Sequence, residues 1–409
     1  MQVSDTIAEH LADPAPDSAS GPWWRQSLAH GAPGIALLHI ERAAAGRGPW
    51  ERAHQWLTYA AGAPVTSGPD SHLYYGAPAI AHALACASTA RPTAYRRGLE
   101  ALDRTIAADA TRRAAQGHAR IDHGALPVLA EFDVIRGLAG VGSYLLRRDP
   151  DGDAVRAVLE YLVRLTDPLV CDGATLPGWW TATGPSGRGS EQFPGGHGNA
   201  GLAHGIGGPL ALLALAARRG VTVEGQVEAI GAICRWFDQW LSDAGAGPLW
   251  PYWVTRPQLR ARTWTPSGRQ RPSWCYGAVG LARVQQLAAL ATGDTGRQDV
   301  AERAAIAALS SCTAVSDRSL CHGHAGLAHL AAVIAADASP QAAARLRELI
   351  PGLVDTTVLP GPDFGEAGEA LVKTAGPGFL EGAAGTALAL LTHVTGAPLT
   401  GWDACLLIR

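Results

Sequence analysis

Lysine is almost missing from this 409-residue chain: Lys373 is the only one, so its positive charge is carried by arginine. With the abundance of Ala and Gly, that absence reflects a GC-rich genome and carries no functional meaning. Long basic runs are missing too, and the formal net charge is only -3, which excludes an electrostatic nucleic-acid or membrane-surface binder. No apolar run approaches the roughly 20 residues needed to span a bilayer. The opening "MQVSDTIAEHLADPAPDSAS" lacks the basic-then-apolar order of a secretory signal, so the expected location is the cytoplasm. Cysteine is scarce and odd in number, seven in all (86, 171, 234, 275, 312, 321 and 405), a pattern of core fillers and metal ligands and not of disulfides. No strand-rich region is apparent.

What the chain has in quantity is apolar residues, 47% of the total, and glycine, 49 residues. Enough core can be buried for a single large domain spanning 1–409. The glycines are patterned. Seven times a Gly-x-x-Gly, or once Gly-x-x-Ala, leads into an apolar helix: "LAHGAPGIALL", "YYGAPAIAHAL", "VIRGLAGVGSYLL", "GLAHGIGGPLALL", "WCYGAVGLA", "LCHGHAGLAHLAA" and "FLEGAAGTALALL". The leading glycines are Gly31, Gly76, Gly137, Gly205, Gly277, Gly323 and Gly382. Between them lie amphipathic segments such as "PWERAHQWLTYAAG" (49–62) and "EGQVEAIGAICRWFDQWL" (224–241). The alternation predicts an all-α protein, an α/α toroid with seven inner helices wrapped by seven outer ones. Crowding of the seven helix starts, or a turn needing positive φ, explains the glycines.

The repeat sets a register. Cys275 and Cys321 both stand two residues before their leading glycine; His204 and His322 stand one before, and Asp133 four before. Equivalent positions face the same end of the barrel, so Cys275, Cys321 and His322 form a Cys₂His set with no evident fourth protein donor, the composition of a catalytic zinc site. His30 occupies the same slot in the first repeat without an acidic or thiol neighbour, which favours capping or packing. His197, His324 and His329 fall outside the slots and are read as capping or supporting residues. Two long segments rich in Gly, Pro and Trp, 171–196 and 248–273, lie just before the fourth and fifth motifs and are expected at the same rim, either as walls for a peptide or glued to the barrel by Trp179, Trp180, Trp250 and Trp253.

"NAGLAHGIGGPLALL", "RPSWCYG", "CHGHAGLAH" and "FLEGAAGTALALL" closely resemble the motifs of the lanthionine synthetase C family, the cyclases of lanthipeptide biosynthesis and their relatives, over essentially the whole chain. That resemblance implies an α/α toroid with zinc held by Cys275, Cys321 and His322. It also implies that His204 in "GLAHG", Asp133 in "DVIRGLAG" and Arg271, four residues before the first zinc cysteine, are catalytic. The implied reaction is intramolecular Michael addition of a peptide thiol to dehydroalanine or dehydrobutyrine, with a dehydrated precursor peptide as substrate and a separate dehydratase as partner. Val279 stands where the family commonly has proline, a change expected to alter turn rigidity only. The small domain that some members insert after the second repeat is expected to be absent, the space being filled by one long outer helix. A LanC-like enzyme adding glutathione or another small thiol, and a non-catalytic zinc-stabilised peptide scaffold, are the alternatives.

Overall fold

The computed structural model describes residues 2–14, 21–184, 187–189, 191–243, 247–266, 270–312, 315–358 and 364–409. Every glycine motif opens a helix: Ala32–Ala44, Ala77–Ala90, Leu138–Arg148, Gly207–Arg218, Ala278–Thr292, His324–Asp337 and Ala383–Thr395. These helices are buried almost all round; in Ala77–Ala90 every residue from Ala77 to Ala87 is buried. The helices between them bury one stripe only, as Trp50–Ala61 does with Ala53, Trp56, Leu57 and Ala60 at helical spacing. The long step from Gly76 to Gly137 is filled by the 27-residue helix Arg96–Asp122, as expected.

The chain divides into two compact units: residues 1–106, 313–332 and 347–405, and residues 107–312, 333–346 and 406–409. In the first, helix Ala32–Ala44 packs against Ala77–Ala90, Ala383–Thr395 and Trp50–Ala61. Helix Gln2–His10 packs on Phe364–Ala375 and Ala383–Thr395, with Ser4 Oγ donating to Ala387 O at 3.1 Å. In the second, Gly207–Arg218 packs against Leu138–Arg148 and Ala278–Thr292, and Thr295–Ser310 lies along Ala278–Thr292.

Within each unit the turns before the helices are laced together by main-chain hydrogen bonds at equivalent positions. In the first unit Leu28 N donates to Tyr74 O (3.0 Å), Leu380 N to Ala29 O (3.0 Å) and Cys321 N to Leu380 O (2.8 Å). In the second, Val134 N donates to Ala203 O (3.0 Å) and Ala203 N to Cys275 O (3.2 Å). Tyr74, Ala29, Leu380, Ala203, Cys275 and Cys321 all stand two residues before their glycines, so the register inferred from sequence is a physical lattice of hydrogen bonds.

Crowding, and not left-handed geometry, accounts for most of the glycines. Among the seven leading glycines only Gly76 has a left-handed φ, +75°. At the sixth motif a Cβ on Gly323 would stand 2.2 Å from Ser319 N and one on Gly326 1.9 Å from Leu320 O, distances no side chain tolerates.

The Trp-rich segments are less irregular than the sequence suggests. Trp180–Thr181, His197–Asn199 and Trp253–Thr255 form a three-stranded antiparallel sheet with His197–Asn199 in the middle, and Leu169–Cys171 pairs with Ala174–Leu176. Trp179, Trp180 and Trp250 are buried and fasten these segments, while Trp253 is half-exposed. Of the predicted rim, 185–186, 190 and 267–269 lie outside the described residues.

Candidate metal and acid/base site

One turn recurs before four of the helices. The side chain four residues before the leading glycine accepts a hydrogen bond from the main-chain N–H of the residue just before that glycine. Ser27 Oγ accepts from His30 N (3.2 Å), Asp133 Oδ1 from Arg136 N (2.6 Å), Ser273 Oγ from Tyr276 N (3.2 Å) and Ser319 Oγ from His322 N (3.4 Å). Short Ser and Asp side chains favour such local bonds. The turn therefore fixes the residues ahead of the helix starts, where the functional side chains sit.

Asp133 is the one acid in this series, and its second oxygen has a second use. Oδ1 also accepts from Gly137 N at 2.7 Å, while Oδ2 faces His204 Nδ1 at 2.7 Å. Asp133 is buried and His204 is 29% exposed. A carboxylate accepts only, so Nδ1 of His204 carries the proton, and Nε2 is left as the atom that gives or takes one. The Tyr276 ring stacks beside His204, centroids 6.1 Å apart. Burial holds the Tyr276 phenol far above its ordinary pKa, and Asn199 Nδ2 donates to its oxygen at 2.8 Å, so the hydroxyl stays neutral with its O–H still to donate.

Cys275 Sγ, Cys321 Sγ and a ring nitrogen of His322 all lie within 4.8 Å of one another, and they are the only such group among the described residues. Thiolate and imidazole donors around a tetrahedral zinc stand about 3.5–3.8 Å apart, so this trio has the composition for the ion and is close enough to gather around it. Two soft thiolates with one imidazole suit zinc better than magnesium or calcium. At the His322 ring, Nε2 stands 3.3 Å from Asp317 Oδ2. Burial works against charge on Asp317, yet hydrogen bonds from His322 and Ser319 outweigh it and hold the carboxyl well below the usual range.

The remaining sequence candidates fall into place more loosely. Arg271 is exposed and tied by its main chain, its N–H donating to the Tyr252 hydroxyl at 2.8 Å; no hydrogen bond or ion pair joins its guanidinium to the other site residues among the described residues. His30 packs edge-on against Trp23. His324 bonds Val315 O at 2.8 Å, and His329 bonds Asp403 at 3.0 Å while stacking on Trp402. His197 is fully buried on Phe193. Sequence reasoning missed Tyr276, although it occupies the slot of His204 and His322, and it missed Asp317, which lies in no repeat slot and is found only once the loop before Cys321 is folded.

Comparison with known proteins agrees with this architecture. The nisin cyclase structure superposes on 99% of this chain and 96% of its own with a TM-score of 0.78 at 22% identity, which makes the fold an α/α toroid. The nisin biosynthesis protein NisC of Lactococcus lactis subsp. lactis is 25% identical over 287 residues, 68% of this chain and 64% of that protein's length. The family model described as lanthionine synthetase C-like protein matches residues 22–407. The chain therefore belongs to the lanthionine synthetase C-like family.

Proposed function

We propose that this protein is a zinc-dependent cyclase that closes thioether rings in a dehydrated peptide. The observation that carries this reading is the grouping of Cys275, Cys321 and His322, three donors with no fourth among the described residues. Zinc bound there would have its two positive charges balanced by two thiolates, and would lower the pKa of a thiol reaching its open position so that the thiolate is present at neutral pH.

The rest is the work of the chain. In the addition, the peptide sulfur bonds to the β-carbon of dehydroalanine or dehydrobutyrine and the double-bond electrons move onto the α-carbon and its carbonyl. The thiol proton leaves to a base, and a proton is returned to the α-carbon. His204 Nε2, its ring oriented by Asp133, is suited to either transfer because an imidazole nitrogen can both accept and give a proton. The neutral Tyr276 hydroxyl beside it is a donor for the developing enolate oxygen, and Arg271 adds a cation for that charge. The substrate is a precursor peptide whose serines and threonines a separate dehydratase has already dehydrated. The half-exposed Tyr252 and Trp253, in ring contact with Tyr276, offer it a wall.

The test is metal content by plasma mass spectrometry on the wild type and on Cys321→Ala, paired with cyclisation of a dehydrated peptide scored by alkylation of remaining thiols. The expected result is about one zinc per chain, with zinc and ring closure lost together in the variant. Zinc with consumption of added glutathione but not of peptide thiol would assign the small-thiol reaction instead. Zinc with neither would leave a scaffold.

A further inference from the structure

His322 is held from two sides. Its main-chain N–H is fixed by Ser319 Oγ at 3.4 Å, and its ring turns Nε2 to Asp317 Oδ2 at 3.3 Å. Asp317 is itself immobilised. Its Oδ1 accepts the Ser319 N–H at 2.7 Å, and its main-chain oxygen accepts the His324 N–H at 3.0 Å, so one carboxylate oxygen is committed to the turn and the other is left for the imidazole. Its carboxylate does not join the group of donors formed by Cys275, Cys321 and His322. Asp317 thus bonds the histidine without joining the three donors.

We propose that Asp317 is a positioning residue that selects the tautomer of His322: it accepts a hydrogen bond from the Nε2–H and so leaves the Nδ1 lone pair as the metal donor. An isolated neutral imidazole carries its proton on either nitrogen, and a metal site needs the proton on the one facing away. A carboxylate at the far nitrogen enforces that choice, holds the ring plane and makes the donor nitrogen more basic. Asp133 stands to His204 in the same relation, through Nδ1. The chain thus uses one device twice, once on an acid/base histidine and once on a ligand. The two differ in origin. Asp133 occupies a repeat slot, whereas Asp317 lies two residues upstream of Ser319, the residue filling that slot in its own repeat.

This inference rests on the zinc reading above, and Asp317→Asn tests it separately. Asparagine keeps an oxygen for the Ser319 N–H, so the turn persists, but it presents an NH₂ donor to Nε2 and thereby favours the proton on Nδ1, the wrong nitrogen for the metal. Zinc affinity of the full chain is read by competition with a chromophoric chelator for the wild type, Asp317→Asn and Asp317→Glu, alongside the melting temperature of each metal-free protein. The expected result is binding weaker by about 10- to 100-fold in Asp317→Asn, recovery of part of it in Asp317→Glu, and unchanged melting. Nitrogen-15 shifts of the metal-free His322 ring should move from the Nε2–H to the Nδ1–H pattern in Asp317→Asn. Zinc affinity in Asp317→Asn within twofold of the wild type overturns the inference and leaves the zinc reading standing. A wild type that takes up no zinc, or a Cys321→Ala protein that binds it as the wild type does, overturns both.

Discussion

At the scale of the residue, Asp133 shows how a change of residue type in a repeated slot brings a second contact. Where the first, fifth and sixth repeats place Ser27, Ser273 and Ser319, the third places a residue with a second oxygen, and that oxygen is the one that reaches His204. The consequence is testable with Asp133→Asn. The amide oxygen retains the bonds from Arg136 and Gly137, so the turn survives, while the NH₂ group opposes the Nδ1 proton and drives it to Nε2. Turnover should fall by about 10²- to 10⁴-fold with zinc content unchanged; zinc lost in step with activity would mean that Asp133 holds the fold and not the proton. These residues stand out in the sequence because they lie in a repeated register. Arg271 is suggested by family resemblance alone, and among the described residues its exposed side chain makes no bond to the other site residues. Asp317 could not be read at all, since its role depends on a loop conformation that no periodicity encodes.

The element scale explains why the helices were so readable. Most motif glycines sit where neighbouring backbone or side chains nearly touch the start of the helix, so the requirement for a missing Cβ recurs along the chain with the helices. Gly326→Ala should be severe: its Cβ would meet Leu320 O at 1.9 Å, and Leu320 adjoins Cys321, so both stability and metal binding should suffer. A loss of about 3 kcal/mol or outright failure to fold is expected. Gly352, inside helix Pro340–Thr357, provides the control, because a Cβ added there would meet nothing within 4 Å. Gly352→Ala should raise stability by about 0.5–1 kcal/mol. Equal denaturant midpoints for the two variants would dismiss crowding as the reason for the motif. The short strands were not foreseen because pairing of Trp180–Thr181 and Trp253–Thr255 with His197–Asn199 joins segments far apart in sequence, each too short to show alternation.

At the scale of the whole molecule, the buried histidines set how stability responds to acid. Burial pushes His39 and His197 down to about 4 from the ordinary 6.5. The unfolded chain therefore binds a proton at each between pH 6.5 and 4 that the folded chain does not, and stability is fully present above pH 6.5 and drains away as pH falls toward 4. Glu41 works in the opposite sense: burial raises its pKa despite bonds from Thr400 and Leu399. The two histidines differ in what they return for their burial. His39 Nε2 reaches Leu11 O at 2.6 Å, whereas neither ring nitrogen of His197 reaches a partner among the described residues, and its ring stacks on Phe193 at 4.0 Å. A buried polar group without a partner costs about 1–3 kcal/mol. His197→Phe keeps the stacking and removes both the unmet nitrogens and the titration. It should therefore be more stable than the wild type by about that amount at pH 8, with an advantage that widens as pH falls from 6.5 to 5. Denaturant midpoints of both proteins across that range decide it. A variant weaker than the wild type at pH 8, with a parallel pH profile, would mean that the His197 nitrogens are satisfied in solution and that its burial is not the source of acid sensitivity.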